Sequence, residues 1–152
     1  MAKFNDAVQF LIDNGVEENV HSGRHLLDHL IGTAELLMKW ECHGDLVLAG
    51  LCHSIYGTAA YRPITVDFSR RDEVKEIIGD YAELLAWEFG MRPLPRLNSF
   101  VENGEVDLVI MECANLIEQR VDPSFLSAAT AVDLPKTVRD NVDKYLKHYY
   151  RN

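Results

Sequence analysis

The chain has 152 residues, 47% hydrophobic and 26% charged, with a net charge of −9. Such a composition excludes a disordered chain, and at this length roughly 68–70% of the unfolded surface is buried on folding, enough for a core without disulfides or a structural metal. The acidic balance repels phosphate backbones and argues against nucleic acid as a partner, and no apolar run reaches the ~18 residues of a membrane span.

Taken in chain order, the pattern is helical almost throughout. Phe4, Val8 and Leu11 mark one face of a first helix that Gly15 ends. Leu26, Leu27, Leu30, Ile31, Ala34, Leu37 and Trp40 mark a long second helix, stopped at Gly44. Asp45 is the expected cap of a third, DLVLAGLCHSIY, which is apolar on every side and so belongs at the centre. Residues 57–68 form an irregular connection in which Ile64–Phe68 is the one candidate strand. Ser69 with Asp72, and Asp80 with Glu83, have the spacing of capping boxes, and Gly90 ends the second of these helices. Residues 91–104 read as a loop blocked by Pro93 and Pro95. A helix follows over 105–119; Asp122-Pro123 opens another, and Asp133 opens the last, with a proline in its first turn. The expected fold is all-α, a single compact bundle of seven or eight helices over residues 1–152.

Cys42, Cys52 and Cys113 are odd in number and form no CxxC, so they read as free thiols of a reducing compartment. The first residues lack the charged and then apolar pattern of a secretion signal, and the expected location is cytoplasmic. The histidines are better placed than they are numerous. His21, His25 and His29 stand four apart, so with a helix starting near Gly23, His25 and His29 share a face. His53 lies late in the most apolar segment, where an imidazole needs a partner.

These residues sit in a recognisable order. Ser22-Gly23 is followed six residues later by His29, and His53 follows His29 by 53 − 29 = 24. HLIGTAELL, LAGLCHSIYGT, IIGDYAELLAW and DLVIMECANLIEQ then succeed one another. In order and spacing, residues 20 to 120 resemble the RelA/SpoT-type guanosine tetraphosphate hydrolases of the HD superfamily. That resemblance implies a helical HD fold, a metal held by His29 and His53, and hydrolysis of a phosphorylated, nucleotide-like substrate. The segment HSIYGT also resembles that of a bacterial HD-like family of unassigned function, which makes Ser54, Tyr56 and Thr58 site candidates.

The chain departs from the hydrolase pattern at its acids. The His-Asp pair is His53-Ser54, and serine is a poor ligand for a divalent ion. The Glu-Asp pair falls on Gly57-Thr58, neither of which transfers a proton as a carboxylate does. The last metal aspartate aligns with Met111, or with Glu112 after a one-residue slip, and Glu112 shares a helix face with Asn115. Two readings stay open. In one, a divalent metal (Mn, Fe or Zn) is held by His29, His53 and Glu112, with His25 as a fourth ligand. In the other there is no metal, and His29 or His53 acts as a base or the pocket only binds. Arg24 and Arg62 are the anion anchors nearest the histidines, with Arg70 and Arg71 beyond them. Asp28 could orient a histidine, and Tyr61 could line the pocket. The leading expectation is an enzyme of a small anionic substrate. A non-catalytic ligand-binding or regulatory module comes second, and a metal-dependent oxygenase or lyase third. A homo-oligomer stays open.

Overall fold

The computed structural model describes residues 2–16, 20–21, 24–61 and 63–151, with backbone alone for 20, 21, 24 and 149–151. The class is all-α. Among the described residues there are eight α-helices: α1 (Ala2–Asp13), α2 (Leu26–Lys39), α3 (Gly44–Leu51), α4 (Arg71–Ile78), α5 (Asp80–Met91), α6 (Arg96–Glu102), α7 (Val106–Glu118) and α8 (Lys136–Arg151). Two 3-10 segments, Phe68–Arg70 and Pro123–Ala131, precede α4 and α8. A two-residue antiparallel ladder, β1 (Val20–His21) with β2 (Arg24–His25), leads into α2. No helix is long and apolar enough to cross a membrane among the described residues.

Helix α3 is the hub. All six residues from Leu46 to Leu51 are buried, and it touches α1, α2, α4, α5 and α7. A helix apolar on every side can be stable only when neighbours cover it all round. Helices α2 and α7 pack on α3 and on each other, and α6 packs on α7. Gly50 lets α2 approach, because a Cβ there would stand 2.4 Å from a Leu37 methyl. The outer helix α8 is amphipathic and buries Val138 and Val142.

Several local expectations give way to the structure. His43 caps α3, its Nδ1 accepting from the Leu46 N–H at 3.3 Å, so the helix starts one residue before Asp45. α3 also stops at Leu51, and residues 52–56 form turns, which leaves His53 just past the helix end. Neither capping box forms. Asp67 accepts from the Ser69 N–H instead, and Glu83 turns inward to a buried ion pair. Ile64–Phe68 is no strand; the N–H groups of Thr65 and Val66 both donate to the Ile55 carbonyl. The expected loop at 91–104 contains α6, which begins directly after Pro95 and buries Arg96, Leu97 and Phe100. Proline immediately before a helix costs it nothing, since the first turn has no intrahelical use for that N–H. Residues 123–131 follow 3-10 geometry, and the last helix begins at Lys136, beyond Pro135.

Candidate functional site

A cavity of about 620 Å³ opens between the turn after α3 and helices α2, α5, α6 and α7. Its polar side is formed by His29, His53, Ser54, Arg96, Glu112 and Asn115, all buried. Leu26, Phe89, Leu97 and Leu116 supply apolar wall, and exposed Leu94 and Phe125 stand at the rim.

The two histidines meet. Their rings stand edge to face with centroids 5.2 Å apart. His29 Nδ1 lies 2.8 Å from Glu118 Oε1 and Nε2 lies 2.9 Å from Asn115 Oδ1. Glycine makes this reach feasible. A Cβ on Gly32 would sit 2.6 Å from Glu118 Oε2, so the bare backbone of α2 gives the carboxylate room beside His29. His53 Nδ1 donates to the Gly50 carbonyl at 2.7 Å, and its ring packs against Phe89 with centroids 5.1 Å apart. Phe89 reaches it because α5 comes very near the turn: a Cβ on Gly90 would be 2.8 Å from the Gly57 carbonyl oxygen.

Helices α6 and α7 close the floor with one hydrogen-bonded chain. Arg96 Nε donates to Glu112 Oε2 at 2.8 Å, and Asn115 Nδ2 donates to Glu112 Oε1 at 2.7 Å. Asn115 Oδ1 then accepts from Gln119 Nε2 at 2.9 Å and faces His29 Nε2. The Arg96 guanidinium lies over the Phe89 ring, 4.5 Å from its centroid. Arg92 sets this corner, its guanidinium gripping both Glu105 oxygens at 2.6 and 2.9 Å and stacking on Phe100. Two cavity groups are left over. Ser54 Oγ and Arg96 Nη1 are buried without a hydrogen-bond partner. Each such orphan costs a fold about 1–3 kcal/mol.

The structure thus brings His29, His53, Ser54, Thr58, Glu112 and Asn115 to one cavity. Thr58 is held in the loop by Tyr61, whose N–H donates to Thr58 Oγ1 at 2.8 Å, and Tyr61 also lines the cavity. His25 stands apart. It is exposed at the start of α2, so it shares no inward face with His29. Tyr56 does not line this cavity; its hydroxyl donates to Glu83 at 3.2 Å on the far side of the turn. Arg70 pairs with Glu73 and Arg71 with Glu83, both away from the cavity. Arg62, Ser22, Gly23 and the side chain of Arg24 lie outside the described residues. Among the described residues no three His, Cys, Asp or Glu groups are gathered as a metal ion would require. Cys52, next to His53 in sequence, is buried and its thiol is pushed up to about 12 by that burial, which makes it inert.

Arg96 and Glu118 are site residues that no motif or spacing marks directly. A signal for Arg96 existed: Pro95 directly before Arg96-Leu97, with Phe100 and Val101 at helical spacing, reads as a helix start.

A family model described as a domain of unknown function, DUF6817, matches residues 10–93. The chain belongs to this family. No curated protein and no solved structure matches it. The DUF6817 segment runs from within α1 to just past α5, so it holds His29, His53, Ser54, Thr58 and Phe89. Arg96, Glu112, Asn115 and Glu118 come from α6 and α7, beyond its end. In this DUF6817 protein the cavity is therefore shared between the family segment and the helices that follow it.

Proposed function

We propose that this chain is an HD-like enzyme of a small anionic substrate, with hydrolysis as the default reaction and His53 as general base. One observation carries the reading: Ser54 Oγ and Arg96 Nη1 are buried without partners in two residues that line the cavity, beside the apolar wall of Leu26, Phe89, Leu97 and Leu116. Native interiors seldom leave donors unpaired, and a largely apolar cavity with a few convergent polar groups is the usual form of a small-molecule site.

His53 has the geometry of a base. A backbone carbonyl can only accept, so Nδ1 carries the proton toward Gly50, and Nε2 is the basic nitrogen of the neutral ring. A water attacking the substrate's acyl or phosphoryl centre passes its proton to Nε2 as the new bond to oxygen forms, and the donors of Ser54 and Arg96 stabilise the negative charge that builds on the substrate. The bond to the leaving oxygen then breaks, that oxygen takes the electron pair and the proton from Nε2, and His53 returns to its neutral form.

The donor set does not suit the divalent cation implied by the HD resemblance. Both Glu112 oxygens are engaged, one of them by a guanidinium that would repel a metal, and the two His29 nitrogens face Glu118 and Asn115. Hydrolysis then runs on His53 without a metal, and an oxygenase or lyase, which needs one, lacks its centre. The second reading, a non-catalytic ligand-binding module on an HD-like fold, draws support from the same saturation of Glu112 and His29.

The test is hydrolysis of a panel of p-nitrophenyl phosphates and short-chain carboxylic esters, with and without EDTA. The enzyme reading expects turnover that EDTA leaves unchanged and that falls about 10²–10⁴-fold in His53→Gln. An undiminished rate in that variant removes His53 as the base. Ligand binding with no turnover of any ester turns the reading to the binding module.

A further inference from the structure

We infer that Arg96 anchors the ligand, and that the ligand class is a monoanionic amphiphile, a small carboxylate with an aliphatic or aromatic body. The inference rests on the cavity proposed above as the site, but not on its catalysis.

Arg96 is 5% exposed, and Glu112 holds it by Nε alone, at 2.8 Å. Nη1 is left without a partner in the cavity wall. A guanidinium positioned by a carboxylate through one edge and stacked on an aromatic ring is pre-organised to give its remaining N–H groups to an oxyanion. Ser54, 3% exposed and equally unpartnered, supplies a second donor to the same cavity. Two donors suit the two oxygens of one carboxylate.

Charge limits the head group to a single negative charge. Among the described residues Arg96 is the only lysine or arginine lining the cavity, and Glu112 already offsets it. Glu118 lies just behind, on His29. A di- or triphosphate would bring two or more further charges to a floor that has carboxylates but, among the described residues, no additional cation. The apolar part of the wall points the same way. Leu26, Phe89, Leu97 and Leu116, with Leu94 and Phe125 at the mouth, offer surface for a hydrocarbon body.

Calorimetric titration separates these chemistries, with hexanoate, phenylacetate, hexan-1-ol, inorganic phosphate and GDP as probes. The carboxylates are expected to bind most tightly. Arg96→Met alone would leave Glu112 buried without its cation and can fail to fold, so the decisive variant is Arg96→Met with Glu112→Leu, checked by circular dichroism. In it, carboxylate Kd is expected to rise about tenfold or more while the affinity for hexan-1-ol holds. Ser54→Ala should weaken carboxylates by a smaller factor. The inference is overturned if GDP or phosphate binds more tightly than the carboxylates, if no carboxylate binds, or if the double variant binds them unchanged. Carboxylate binding without ester turnover keeps the anchor and removes the enzyme. Ester turnover in a protein indifferent to Arg96 does the reverse.

Discussion

Arg71–Glu83 and Arg96–Glu112 are built alike. Each joins two consecutive helices, α4 to α5 and α6 to α7, by a buried glutamate and an arginine stacked on an aromatic ring. The difference lies in what is left over. Glu83 is fully buried and receives Arg71 at both oxygens, at 2.5 and 3.1 Å, and the Tyr56 hydroxyl at 3.2 Å. Arg71 lies 4.0 Å above Trp87, and Phe68, Tyr56 and Trp87 pack edge to face around it. That cluster is closed and borders no part of the cavity. At Arg96 the same chemistry keeps a donor in reserve, beside Ser54 and two histidines. A saturated polar cluster ties helices together, whereas an unsaturated one at a cavity is arranged for a group that the chain itself does not supply.

The largest expected effect comes from breaking the pair at the cavity. Glu112→Leu strands Arg96, whose side chain is only 5% exposed, and should cost about 3–5 kcal/mol in urea denaturation. Adding Arg96→Met should return most of that loss, since a buried ion pair replaced by apolar groups is often neutral. If the double variant is as unstable as the single one, the pair is a structural clamp like Arg71–Glu83, and the contrast between the regions fails. Arg71→Met leaves Glu83 fully buried with the Tyr56 hydroxyl as its remaining partner, and should cost about 2–4 kcal/mol. Carboxylate binding should be unchanged in Arg71→Met, as calorimetry would show. A weakened ligand there would mean that the two clusters communicate.

The sequence disclosed one of these regions more readily than the other. Apolar spacing marks α2, an all-round apolar run marks α3, and 105–119 reads as the helix that is α7; these three carry His29, lead into the turn with His53, and hold the Glu112–Asn115 face. The two histidines, 24 residues apart, do meet. The partners were less legible because they come from far along the chain. Glu118 is 89 residues from His29, and Arg96 is 16 from Glu112. Glu83 read as a capping residue because its local spacing fitted one, but a side chain buried under α4 has a better partner in Arg71 than in its own helix end. α6 was hidden by its prolines, although Pro95 stands where a helix start accepts it. Local rules located the elements. The ion pairs depended on which elements became neighbours.

The smallest effect is the most specific to the closed cluster. Burial, and then the Glu83 charge, push the Tyr56 phenol above its ordinary value. A phenol raised in this way stays protonated in the folded chain after its unfolded counterpart has begun to ionise near pH 10. Its contribution to stability is complete below that pH and is lost above it, by at most about 1.4 kcal/mol per pH unit. Tyr56→Phe should cost about 1 kcal/mol at pH 7, where one hydrogen bond to Glu83 is lost and Arg71 still holds the carboxylate. The gap between wild type and variant should then shrink as pH rises from 9 to 11, in urea midpoints measured side by side. A gap that stays constant would mean that the Tyr56 proton is held no more tightly in the fold than in the open chain. Glu83 would then not be the closed, water-free site that sets it apart from Glu112.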